Sequence, residues 1–134
     1  MPFNECIIHG NLISLNGRGI LILGDPEAGK THLTRELLSL GYRFIADDAV
    51  TIRQSSDGHI SGFAPERTYG KIVSAAGRIV DLDPGEACGI DLIVSLAPDT
   101  QDRIAGLKGL PQIEMNKPSS RVAHELISSV FIKD

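Results

Sequence analysis

Apolar residues gather in short blocks along the first half of the chain. Glu5 to Leu15 and Gly19 to Leu23 are rich in Ile and Leu, and they flank Asn16-Gly17. Both residues of that pair tolerate positive φ, so the pattern predicts two strands joined by a two-residue hairpin turn. A tight turn sets Leu15 opposite Arg18, Ile13 opposite Ile20 and His9 opposite Gly24; a four-residue turn would set His9 opposite Pro26. Leu33, Leu37, Leu38 and Leu40 mark one side of a helix that opens at Lys30, and Gly41 is placed to end it.

Tyr42 to Ala46 reads as a buried strand running into Asp47-Asp48. Val50 to Arg53 reads as another, turning at Asp57-Gly58 and returning from His59 to Phe63. From Ala64 to Cys88, Pro, Gly and charges interrupt the pattern and assign no element. Ile90 to Leu96 is a buried strand and Pro98 to Leu110 a polar loop. Ile113 to Met115 is a short edge strand, and Ser119 to Phe131 has helical spacing. Strands and helices alternate as in an α/β layer fold, and the opening hairpin makes its sheet mixed.

The chain's 134 residues fit one domain, taken as residues 1–134, with no repeats or low-complexity segments. A net charge of −4 argues against nucleic acid or an anionic membrane as partner. No apolar run approaches the roughly 20 residues that span a bilayer, and no leader-like segment precedes the first strand. The expected location is cytoplasmic. Cys6 and Cys88 lack C-x-x-C spacing and read as buried thiols.

The stretch Gly24-Asp25-Pro26-Glu27-Ala28-Gly29-Lys30-Thr31 has the form G-x-x-x-x-G-K-[ST], set between a predicted strand and a predicted helix. Glycines let successive backbone N–H groups converge on one anion, and the following helix adds the positive end of its dipole. Lys30 would reach the β- and γ-phosphates, and the Thr31 hydroxyl would ligate Mg²⁺. Pro26 lacks an N–H, and Glu27 brings a negative side chain that either points to solvent or lowers affinity.

Asp47-Asp48 ends the strand after the helix, and ligands of α/β sheets bind at the carboxyl ends of strands. One carboxylate there can hold Mg²⁺ through water, and the other can take a proton from an attacking hydroxyl. The alternative is that the pair merely starts a turn. His9, carried toward the site by the hairpin register, is either structural or a further member of it.

Together, a strand with His9-Gly10, a hairpin, Gly24-Asp25 with Gly29-Lys30-Thr31, and Ala46-Asp47-Asp48 resemble the catalytic domain of HPr kinase/phosphorylase. The match is strongest over Ile7 to Arg53. Leu110-Pro111 through Ser119-Ser120 and the closing helix resemble the short alphaproteobacterial form, which lacks the N-terminal domain of longer relatives. The resemblance implies a phosphate-loop kinase domain related to phosphoenolpyruvate carboxykinase. It implies ATP and Mg²⁺ as cofactors and a serine of an HPr-like phosphocarrier of the sugar phosphotransferase system as acceptor, in a reversible reaction. Asp47 or Asp48 would be the base, with Asp47 favoured. The other would place Mg²⁺ with Thr31, and His9 would orient the pair or sense its charge. Family members form hexamers, so a homo-oligomer is compatible with this reading.

One segment departs from the family. A signature resembling L-E-[IV]-R-G-x-G-[IV] aligns with Lys71 to Arg78, so that Ile72 takes the Glu position and Ser74 the Arg position. Lys71 and Arg78 are nearby replacements for the cation, and Arg103 and Arg121 read as surface residues. Phosphoryl transfer depends on positioning and charge neutralisation. Two other readings therefore stand beside the kinase: a nucleotide-binding regulatory module with degenerate activity, and a kinase for a different hydroxylated substrate.

Overall fold

The Asn16-Gly17 turn forms with φ of 53° and 82°, the left-handed pair that a tight hairpin requires. In the computed structural model, which describes residues 3–24, 29–55, 59–64, 71–73, 79–81, 88–96, 110–115 and 119–132, strands β2 (Asn11–Leu15) and β3 (Arg18–Leu23) pair in the expected register. Ile13 faces Ile20, and Leu15 faces Arg18. The register does not extend to His9. The chain breaks at Gly10, and β1 (Phe3–His9) leaves to pair antiparallel with β5 (Ala49–Ser55), which sets His9 opposite Ala49. The bend admits only a glycine: a Cβ at Gly10 would lie 2.9 Å from the Ile22 carbonyl oxygen and 3.2 Å from Leu23 Cδ2.

Helix α1 (Lys30–Ser39) ends where Gly41 takes φ of 102°. The Gly41 N–H donates to Leu38 O and the Tyr42 N–H to Leu37 O, while Tyr42 and Leu37 share one core cluster. These are the paired bonds and the apolar contact of a Schellman ending. Strands β4 (Arg43–Ala46), β6 (Ile60–Phe63), β9 (Cys88–Ser95) and β10 (Gln112–Glu114), with helix α2 (Ser120–Ile132), fall within a few residues of the predicted positions. In the stretch that the pattern left unassigned, β7 (Lys71–Val73) and β8 (Ile79–Asp81) form a separate antiparallel pair.

The main sheet has eight strands in the order β1-β5-β6-β9-β3-β2-β4, with β10 also on β9. It is mixed, as expected: β3 runs parallel to β9, β10 runs parallel to β9, and β2 is antiparallel to both β3 and β4. Alternation divides the core between two faces. Ile20, Ile22, Leu92 and Val94 pack with Leu33, Leu37, Ala123 and Ile127 of the helices. Leu21, Leu23 and Ile93 pack with Ile8, Val50, Ile52 and Ile60, so β1, β5 and β6 cover the face away from the helices.

Cys6 was expected to be buried and is exposed. It shares a face of β1 with Ile8 but lies two residues further from the site end of the strand, opposite the buried Ile52. No helix among the described residues is long and apolar enough to cross a membrane.

Tyr42 ties α1 to α2 through a 2.8 Å hydrogen bond between its hydroxyl and His124 Nδ1. Burial pushes that hydroxyl from 10.0 up to about 12. The folded state therefore favours the protonated phenol. This contribution is fully present below pH 10.0 and is lost as pH rises to about 12. Unfolding midpoints followed across that window should fall with pH, and Tyr42→Phe should flatten the fall.

Candidate active site

Strand directions bring the site together. β3, β4, β9 and β10 all point the same way, so the segments after β3 and β4 emerge at one end of the sheet. β2 runs against them and therefore starts at that end, as does β5 after the acidic pair. Four passes of the chain meet there: His9-Gly10-Asn11, Gly24, Gly29-Lys30-Thr31 and Asp47-Asp48.

Asp25, Pro26, Glu27 and Ala28 lie outside the described residues; the flanks of the loop do not. Gly29 caps α1 with φ of 96°, a conformation that suits glycine. Among the described residues no side chain caps the helix, and its first turn carries no acidic residue. Lys30 is 5% exposed, and its Nζ donates to the Gly24 carbonyl oxygen at 2.7 Å. A buried ammonium beside an uncapped helix N-terminus, at a glycine-closed loop, fits a nucleotide phosphate.

Asp47 is 4% exposed, and its Oδ1 accepts two hydrogen bonds, from Thr31 Oγ1 at 2.9 Å and from Asn11 Nδ2 at 2.8 Å. The hydroxyl expected to ligate Mg²⁺ thus touches the first aspartate of the pair. Asp48 is exposed and sits at φ of 70°, with the Ala49 N–H donating to the Asp47 carbonyl oxygen at 2.8 Å. This three-residue γ-turn is rare and strained for a non-glycine residue. The exposed His9 joins the site end through its strand: it pairs with Ala49, next to Asp48, and not with Gly24.

Asn11 was not singled out in the sequence, yet it lies at the centre of this network. It is fully buried, and its Nδ2 also donates to Thr34 Oγ1 at 2.8 Å, while its Oδ1 accepts the Asp48 N–H at 2.9 Å. The available signal was a polar residue inside an otherwise apolar strand, next to His9-Gly10. Ile72 lies on β7 opposite Val80. Ser74 and Arg78 lie outside the described residues, as does Arg103; Arg121 is exposed on α2. Among the described residues, no group of three or more His, Cys, Asp or Glu forms a metal-binding cluster.

A family model described as HPr Serine kinase C-terminal domain matches residues 3–79. The chain belongs to this family. HPr kinase/phosphorylase from Caldanaerobacter subterraneus subsp. tengcongensis is 34% identical over 113 residues, covering 79% of this chain and 37% of the relative. The protein of the same name from Brevibacillus brevis is 48% identical over 59 residues, 44% of this chain and 19% of the relative. This chain thus spans little more than a third of the first relative's length. Its fold matches that of the Hpr(Ser) kinase/phosphatase from Coxiella burnetii with a TM-score of 0.77 and 20% identity, covering 96% of this chain and 97% of that one. The family match contains every part of the site and also the departing segment at Ile72 and Ser74.

Proposed function

We propose that this HPr kinase domain is an ATP-dependent serine kinase, able to run in reverse as a phosphorylase, acting on an HPr-like phosphocarrier. The observation that carries the reading is the contact of Asp47 with Thr31, one residue from the buried Lys30. It places a carboxylate against the loop where the phosphoryl group would be held. Lys30 and the backbone from Gly24 to Thr31 bind the nucleotide phosphates. Asp47, its carboxylate oriented by two fixed donors, is the base for the serine hydroxyl. Thr31 and Asp48 would hold Mg²⁺, which when bound would neutralise charge on the phosphates. His9, one strand position from the Asp48 turn, orients the acidic pair.

Incubation with γ-labelled ATP and a purified phosphocarrier tests the reading. Label on a serine of the carrier is expected; ATP bound without transfer to any acceptor overturns the kinase and leaves the regulatory module.

The alternative of a degenerate site has its own observation, the Ile72 and Ser74 substitutions. If those positions carry the family's Glu and Arg roles, transfer needs high Mg²⁺. Ile72→Glu with Ser74→Arg should then raise the rate, whereas each change alone leaves an unpaired charge. A rate independent of Mg²⁺ across the millimolar range would show that another residue supplies what is missing.

A further inference from the structure

We propose that Asn11 is the positioning residue of this site, a single buried carboxamide that orients Asp47 and holds the Asp48 peptide in its strained turn. The proposal rests on the reading of Asp47 as base. The three hydrogen bonds of Asn11 reach two separate segments: Thr34 on α1, and the turn after β4 through both the Asp47 side chain and the Asp48 backbone. The network fixes which way the amide faces. The reversed amide would set its oxygen against the Asp47 carboxylate and its NH₂ against the Asp48 N–H, two repulsive contacts in place of two bonds.

The Thr34 branch runs further. Thr34 Oγ1 accepts from Asn11 and donates to the Lys30 carbonyl oxygen at 2.8 Å. Asn11 therefore links the acidic pair to the backbone of the residue whose amine would meet phosphate. Asp47 is also bonded directly to Thr31. The carboxylate is thus held from β2 and from α1 at once, and a fixed distance between base and phosphate loop follows. A hydrogen-bonded chain of this kind strengthens along its length in a low-dielectric interior.

The second role concerns the backbone. A residue at φ of 70° persists only where its surroundings over-determine it. Two contacts do so here: the Asp48 N–H bound by Asn11 Oδ1, and the Asp48 carbonyl oxygen bound by the Gly10 N–H at 3.2 Å. Both come from the bend between β1 and β2, so adjacent residues secure both sides of the strained peptide unit. The break at Gly10 is what brings them there.

Two variants separate the roles. Asn11→Ala removes all three bonds; Asn11→Asp keeps the acceptor for the Asp48 N–H but sets a second carboxylate against Asp47. Amide hydrogen exchange at Asp48 should quicken at least roughly tenfold in Asn11→Ala and stay near wild type in Asn11→Asp. Single-turnover transfer at saturating nucleotide should fall roughly 10–100-fold in both, as when the partner that orients a functional group is removed. Nucleotide affinity without Mg²⁺ should stay within about twofold in Asn11→Ala, since Lys30 and the loop are untouched and no charge is added. A purely structural role would lower affinity and transfer together, in step with stability.

Unchanged Asp48 exchange in Asn11→Ala, or unchanged transfer in folded Asn11→Asp, overturns the proposal. If Asn11→Ala fails to fold, single-turnover transfer by folded Asn11→Asp decides it. A wild-type chain that transfers no phosphate sinks the kinase reading instead, and the Asp48 exchange rates then judge Asn11 alone.

Discussion

Asp47→Asn should lower single-turnover transfer to the phosphocarrier by roughly 10²–10⁴-fold, the usual contribution of a general base. Nucleotide affinity should hardly change, because the replacement keeps the side chain's size and Asp47 is not part of the phosphate loop. The amide can still accept from Thr31 Oγ1 and Asn11 Nδ2 through its oxygen, so the network around it survives. Asp48→Asn should act differently. Its effect should show as a raised Mg²⁺ requirement, partly overcome by excess metal, since the carboxylate is assigned to metal placement. Rates measured across an Mg²⁺ series therefore separate the two. Excess Mg²⁺ rescuing Asp47→Asn and not Asp48→Asn would exchange the two roles. Both variants keeping half the wild-type rate would show that the pair is not catalytic.

Lys30→Ala should weaken ATP binding by roughly 30- to 150-fold, from about 2–3 kcal/mol for a hydrogen bond to a charged group. The amine is already inside, bonded to the Gly24 carbonyl oxygen. It need only redirect a donor toward phosphate, so little desolvation remains to oppose binding. Removing it also leaves that carbonyl without the ammonium, and a modest loss of stability should accompany the loss of affinity. Calorimetric titration of the folded variant decides the matter: equal ATP affinity in wild type and Lys30→Ala would remove the loop from the nucleotide site.

What could be read from the sequence was set by local chemistry. Asn16-Gly17 determines its own turn and so the register of β2 on β3. Gly41 determines how α1 stops, and the phosphate-loop spacing determines where it starts. The misplacement of His9 arose from a non-local contact. Cys6-Ile7-Ile8 and Leu12-Ile13 are equally suited to a strand, and no local signal marks Gly10 as the break. That break exists because β1 finds β5 forty to fifty-two residues along the chain, and glycine permits it because a Cβ there would meet Ile22 and Leu23. Asn11 was missed for the same reason. Its meaning lies in partners on α1 and after β4, and a lone Asn in a strand announces none of them.

The arrangement of β9 has a consequence for how the protein folds. Every residue assigned to the site lies within the first half of the chain, yet β3, the strand that launches the phosphate loop, is flanked by β2 on one edge and β9 on the other. The β3–β9 pairing joins residues about seventy positions apart, Ile20 with Leu92 and Ile22 with Val94. Parallel pairing at that separation must first bear the entropy of closing a long loop, so it belongs among the late, slow events of folding. The hairpin and α1 can form early from local contacts. Until β9 arrives, the apolar side chains of β3 lack their neighbours on that edge, and the loop springs from a strand supported on one edge only. Nucleotide should therefore bind only the fully assembled sheet, and added ATP should slow unfolding more than it speeds refolding.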